Sequence, residues 1–243
     1  DQNKNRTRAT HYQTQVWGCD LDRKETMKSD KYASLAALAA DLREGVDFRV
    51  EVKDRKSWLT VIAPHGGFIE SGSSAIARAL TVNEYNLFDF QGLRSDSAQD
   101  LHVTSTRFRH PLLDKMLASS CAALSIHCMG TAGESVVWLG GRNSSLKELV
   151  LARLSAGSFA VNPNSPRYRG ESRANVVNLA CSQGVQLELS RELMDELFAG
   201  KPFFVNGRKP RATPRLKQLS AALQAAVSDY QKTDYCTCAF KGA

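Results

Sequence analysis

The chain has 243 residues, 42% of them apolar, and a formal net charge of +7. That length and composition suit one domain with a substantial core, and no apolar run approaches the roughly 18 residues of a helical membrane span. The basic balance favours an anionic partner, but no nucleic-acid-binding module accompanies it, so nucleic acid is not expected as that partner.

Residues 1–28 read as an irregular, polar N-terminal extension, and residues 29–243 as the folded domain. No secretory leader is legible at the start of the chain. A helix is expected from Tyr32 to Arg43, where Leu35, Leu38, Ala39 and Leu42 recur at helical spacing. Phe48–Val52 alternates as a strand does, and Trp58–Ala63 is an apolar run fit for a buried strand. A helix follows over Ala75–Leu80, with Ser73 or Ser74 placed to cap it. Tyr85–Phe90, Leu101–Val103, Ala122–Ile126, Ser135–Leu139, Ser158–Val161 and Val185–Leu189 read as further strands. Leu146–Leu154 and Arg191–Phe198 read as helices, and Leu216, Leu219, Leu223, Val227 and Tyr230 mark a closing one. Alternating strands and helices predict an α/β fold: a single domain with an open, mixed, mostly parallel sheet and helices on both faces.

The six cysteines are Cys19, Cys121, Cys128, Cys181, Cys236 and Cys238. Cys121, Cys128 and Cys181 lie in apolar stretches and are expected to be buried thiols. A bridge from Cys19 to the Cys236/Cys238 pair is open to the chain in an oxidising compartment. No Cys-x-x-Cys pair is present, which argues against a structural zinc finger.

The densest chemistry lies at Ala63-Pro64-His65-Gly66-Gly67-Phe68-Ile69-Glu70. His65 follows a buried strand, and two glycines free the backbone to bring Glu70 back toward it. His127 ends a similar run, Ala122–Ile126. Two histidines and a glutamate are a common ligand set of catalytic zinc, which keeps a further position open. In open α/β sheets, sites gather beyond the C-terminal ends of the strands, where both histidines stand. The plainer alternative makes Glu70 a carboxylate favouring the N-terminus of the next helix. Cys128 is a weaker ligand candidate, since its side chain should face away from that of His127.

The block Ala63–Ser74 resembles the signature of phage-type poly-γ-glutamate hydrolases. So do Leu101-His102-Val103-Thr104-Ser105-Thr106, Ser125-Ile126-His127, Gly140-Gly141 and Gly184–Ser190, in matching order from Tyr32 to Phe198. The resemblance implies a carboxypeptidase-related fold and a zinc ion, Zn2+, held by His65, Glu70 and His127. It implies Glu188 as the catalytic carboxylate and γ-glutamyl amide bonds as the target. The spacing departs from classical carboxypeptidases, whose first ligands are separated by about two residues; here four intervene.

A carboxylate at Glu188, within the apolar strand Val185–Leu189, is costly unless it is used or paired. Its expected role is to take a proton from the attacking water and pass it to the leaving amine. His102 either supports a ligand or touches substrate, and a purely structural histidine fits as well. A polyanionic glutamate polymer needs cationic contacts. Arg142 and Arg173 are the substrate-binding candidates, although both positions also suit solvated surface. The cluster Arg208, Lys209 and Arg211 offers further positive charge. Two alternatives stay open: a zinc peptidase acting on cell-wall stem peptides, and a basic binding module without catalysis. No Gly-x-Ser-x-Gly elbow supports serine chemistry. The chain is expected to act as a monomer; its sequence leaves localisation open, with extracellular or periplasmic action favoured.

Overall fold

The computed structural model describes residues 29–82, 84–200 and 211–233. The proposed extension at 1–28, Cys19, Cys236, Cys238, Arg208 and Lys209 lie outside them. The elements are α1 (Leu35–Asp41), β1 (Phe48–Lys53), β2 (Leu59–Gly67), α2 (Ser73–Thr81), β3 (Asn86–Gly92), α3 (Pro111–Ala118), β4 (Ala122–Cys128) and β5 (Val137–Gly141). They continue with α4 (Ser144–Ala156), β6 (Val161–Asn162), β7 (Gly184–Leu189), α5 (Arg191–Leu197), β8 (Phe198–Ala199), β9 (Arg211–Ala212) and α6 (Pro214–Gln231).

A single seven-stranded sheet, ordered β1-β3-β2-β4-β7-β5-β6, organises the domain. β3, β2, β4 and β7 run parallel, whereas β1 and β5 run antiparallel to their inner neighbours. The sheet is therefore mixed and mostly parallel, as its sequence pattern predicts. The central strands are apolar on both faces because both faces are covered. In β2, Val61 and Ala63 join α2, α4, α5 and α6 in one core, while Ile62 faces the opposite way. The second core packs Ile62, Phe88 and Phe90 against Leu35 and Leu38 of α1 and Leu113, Met116 and Leu117 of α3. The period of two along each strand thus feeds two separate cores.

The order places β3 on one side of β2 and β4 on the other. A crevice opens where connections from a sheet diverge in this way. At this end the β2–β3 register breaks between Ala63 and Gly66. Bulges of this kind bend a strand and re-aim a side chain, and here the side chain is His65. Gly67 has φ +66°, and a Cβ on it would lie 2.2 Å from the Gly92 carbonyl oxygen. At Gly66 a Cβ would lie 2.2 Å from Ser74 Oγ and 2.3 Å from Asp89 Oδ1. Both glycines are required by close approach, not merely tolerated.

Several local expectations are corrected. Leu101–Val103 is no strand: a 3₁₀ turn covers Ala98–Leu101 and irregular chain follows. Neither Ser73 nor Ser74 caps α2; Gly72 occupies that position without a side-chain cap. Ser73 instead donates to the Glu70 carbonyl, and Ser74 to Asp89. The strand expected at Ser158–Val161 begins only at Val161. Helix α3, with Pro at its start, is an addition to the expected elements. Cys121 is buried, Cys128 half-buried and Cys181 exposed, so the third is not the buried thiol expected.

Candidate metal centre

His65, Glu70 and His127 come together: each offers a donor atom, and all these atoms lie within 4.8 Å of one another. β2 and β4 deliver the two imidazoles side by side, and the Gly66–Gly67 turn returns Glu70 between them. Its Oε1 lies 2.7 Å from His65 Nδ1 and its Oε2 3.2 Å from His127 Nδ1. The Cys128 backbone N–H donates to Oε2 at 3.0 Å. Glu70 lies ahead of Gly72, the cap of α2, and turns its carboxylate to the histidines. Cys128 Sγ lies against Met194 Sδ at 3.5 Å and is no part of the donor cluster.

The chemistry of this donor set fits a cation. His65 Nε2 lies 2.9 Å from the Val103 carbonyl oxygen, which can only accept, so this nitrogen carries the hydrogen. A neutral His65 then turns the lone pair of Nδ1 toward a carboxylate oxygen. That contact is favourable only with a positive charge between or on these groups: a proton or a metal ion. A ligating histidine whose other nitrogen is anchored on a carbonyl is the usual arrangement at metals. His127 Nε2 is buried and has no hydrogen-bond partner among the described residues.

The electrostatics agree. Burial pushes the Glu70 carboxyl up, but the His65 and His127 imidazoles outweigh it and hold the group well below the usual carboxylate range. Burial opposes charge on His127, yet Glu70 and Glu188 overcome it and raise this imidazole to about 9. Burial raises Glu188 to about 8, with His127 opposing the rise and Glu70 adding to it. Glu70, His127 and Glu188 therefore shift one another's proton affinity within one buried cluster.

Glu188 on β7 is the registered partner of His127 on β4, so both side chains emerge on one face. Gln186 Nε2 donates to Glu188 Oε1 at 2.8 Å and to the Tyr168 carbonyl at 2.9 Å. Asn175 Nδ2 donates to Gln186 Oε1 at 3.0 Å. The carboxylate is thus oriented by an amide that is itself held from two sides.

His102 packs its ring on His65, with centroids 4.1 Å apart, and receives Asp30 at Nδ1, 2.7 Å away. Burial, with His65 alongside, lowers the His102 pKa despite Asp30. Asp30 also accepts from the Thr104 backbone N–H and from Arg107, each at 2.7 Å. It therefore clamps the segment whose Val103 carbonyl holds His65. Asp30 has no motif around it in sequence; its contacts lie more than 70 positions away.

The two arginine candidates fare differently. β5 runs antiparallel to β7, so Gly141 pairs with Val185 and Arg142 begins beside Gly184. Arg142 therefore stands at the other end of β7 from Glu188, with a guanidinium nitrogen donating to the Glu171 carbonyl. Arg173 is exposed in the segment that leads to Asn175. Arg211 lies in β9, paired with β8 and apart from the main sheet.

UPF0714 protein YmaC of Bacillus subtilis (strain 168) is 30% identical over 194 residues, 78% of this chain and 80% of YmaC. UPF0714 protein YndL of the same organism is 33% identical over 155 residues, 63% of this chain and 61% of YndL. Among solved structures, a bacteriophage poly-gamma-glutamate hydrolase superposes with a TM-score of 0.78 at 27% identity, covering 84% of this chain and 99% of that one. A structure described as zinc-free YNDL gives a TM-score of 0.76 at 25% identity, covering 83% and 98%. No helix of the described residues is long and apolar enough to cross a membrane. The model of the poly-gamma-glutamate hydrolase family matches residues 32–222. With that match spanning most of its length, the chain belongs to the poly-gamma-glutamate hydrolase family.

Proposed function

We propose that this protein is a zinc-dependent hydrolase of γ-glutamyl amide bonds, with poly-γ-glutamate as its substrate. One observation carries the reading: a cation-demanding His65–Glu70–His127 cluster stands beside a buried acid, Glu188, with no ion-pair partner among the described residues and held by Gln186, at the C-terminal ends of adjacent parallel strands. The family match and the bacteriophage relative support the substrate, and the zinc-free description of the YNDL structure supports the metal.

In this reading His65, Glu70 and His127 hold the ion, which supplies Lewis acidity toward the scissile carbonyl. Glu188 accepts a proton from the attacking water as its oxygen bonds to the carbonyl carbon. It then returns that proton to the amine nitrogen as the C–N bond breaks. A carboxyl raised by burial suits both halves of this exchange near neutral pH. Gln186 keeps the accepting oxygen in place, and Asp30 with Val103 keeps His65 turned inward.

The substrate is tested by incubating the metal-loaded protein with poly-γ-glutamate and, in parallel, with purified cell wall. Shortening of the acidic polymer is expected. Release of stem-peptide fragments with the polymer intact would overturn the substrate assignment while leaving the metal centre in place.

A further inference from the structure

We infer that the segment from Arg167 to Asn175 is a rigid cationic strap that docks the acidic polymer beside Glu188. This inference rests on the substrate proposed above, and deepens it by naming the surface that reads the polymer.

The strap is built from its backbone outward. The carbonyl oxygens of Tyr168, Arg169, Gly170, Glu171 and Ser172 all accept hydrogen bonds. Their donors are Gln186 Nε2, the Gly141 N–H, Asn178 Nδ2, the Arg142 guanidinium and again Asn178 Nδ2. The negative ends of consecutive peptide dipoles are thus drawn toward the sheet and occupied there. Gly140 lets this approach happen, since a Cβ on it would lie 2.4 Å from the Arg169 carbonyl oxygen. The Arg142 guanidinium helps to fasten the strap.

What faces outward is positive. Arg167, Arg169 and Arg173 are exposed, and none has an ion-pair partner among the described residues. This separates them from Arg78, Arg94, Arg107, Arg109 and Arg153, each of which is bridged to a carboxylate. Glu171 is the strap's own acidic residue. Between two of the arginines, Tyr168 is half exposed and held at φ 54°, a conformation that costs energy for a side chain of this size.

Gln186 binds the strap at both ends, through the Tyr168 carbonyl and the Asn175 amide, and the same side chain holds Glu188. The guanidinium groups of Arg167, Arg169 and Arg173 therefore sit on a segment fastened by the same amide that orients the candidate general base. A polymer with a free carboxylate on every repeat offers bidentate partners for them in series. Rigid anchoring means that little ordering entropy opposes docking.

The test titrates fluorescently labelled poly-γ-glutamate into the full chain carrying Glu188→Gln, so that the polymer is not consumed. The comparison adds Arg167→Gln, Arg169→Gln and Arg173→Gln together. A charge-matched control instead adds Lys115→Gln, Lys147→Gln and Lys217→Gln, on α3, α4 and α6. Three exposed charge contacts at low salt correspond to a loss of about tenfold in affinity, with a flatter salt dependence. The control is expected to keep the parent affinity. Unchanged binding in the strap variant, or equal loss in the control, overturns the inference. So does tighter binding of a single-stranded oligonucleotide than of the polymer. If the triple variant does not fold, Arg173→Gln alone must weaken binding by about twofold for the inference to stand. Cleavage by the unsubstituted chain is scored separately. Strap-dependent binding without cleavage defeats the substrate reading alone, and cleavage with strap-independent binding defeats the strap alone.

Discussion

His127 and Glu188 are directly registered across the β4–β7 pair, so the imidazole and the carboxyl share one face of adjacent parallel strands. A buried acid is thereby fixed next to a candidate metal ligand by main-chain pairing, with no loop between them. Replacing Glu188 by Gln preserves the shape and the contact with Gln186 while removing the base. Turnover of poly-γ-glutamate should fall by about 10²–10⁴-fold, with metal content and melting temperature close to those of the parent. Single-turnover kinetics check this, and undiminished turnover would move the proton transfer to another group.

The titration of the centre predicts opposite pH trends for metal binding and for the metal-free fold. His127 is raised from 6.5 to about 9 and Glu188 from 4.5 to about 8, so the metal-free folded state binds protons more tightly than the unfolded chain does. The stability that His127 contributes is complete below its ordinary value of 6.5 and lost as pH climbs to about 9. Melting of the metal-stripped protein should decline across that window, with Glu188 acting in the same direction. Zinc must displace the same proton. Its affinity, read against a competing chelator, should rise about tenfold per pH unit toward 9 for one proton released. An affinity independent of pH would mean that His127 is not protonated in the metal-free centre.

Gly67→Ala places a Cβ 2.2 Å from the Gly92 carbonyl at φ +66°. Neither the main-chain oxygen nor the turn can move without shifting Glu70 relative to His65. A loss of about 2 kcal/mol or more is expected in denaturant titration, together with weaker metal binding. Parent stability in this variant would show that the turn relaxes freely.

Asp30→Asn keeps an acceptor for the Thr104 N–H and discards the charge that faces His102 and Arg107. Metal affinity should fall by about tenfold, because the segment that anchors His65 loosens. Calorimetric zinc titration decides the matter; an unchanged dissociation constant would restrict Asp30 to general folding.

The candidate ligands were legible because their chemistry is local. His65 and Glu70 flank a glycine turn, and His127 ends an apolar strand whose length and period can be read directly. Other features depend on which way elements run in space. Gly140-Gly141 invites the next residue, Arg142, into the site, yet β5 is antiparallel to β7 and carries it to the far end. Strand direction leaves no mark on hydrophobic period. The Leu101–Val103 segment alternates like a strand, but its carbonyl at Val103 is spent on His65 and its N–H at Thr104 on Asp30, not on a ladder. Asp30 itself is an ordinary acidic residue at the edge of an irregular stretch, and only the fold gives it partners. Of the strap's arginines, Arg173 is a candidate from sequence alone, whereas Arg167 and Arg169 are silent there; the three are brought together by the fold, with no ion-pair partner among the described residues.

Zinc stoichiometry tests the central claim most directly: His65, Glu70 and His127 hold the ion on which hydrolysis depends. Elemental analysis should find about one zinc per chain in the parent protein and almost none in His127→Ala. Activity on poly-γ-glutamate should vanish when a chelator strips the parent and return when zinc is restored. A parent protein that hydrolyses the polymer at full rate with no metal bound would contradict the account.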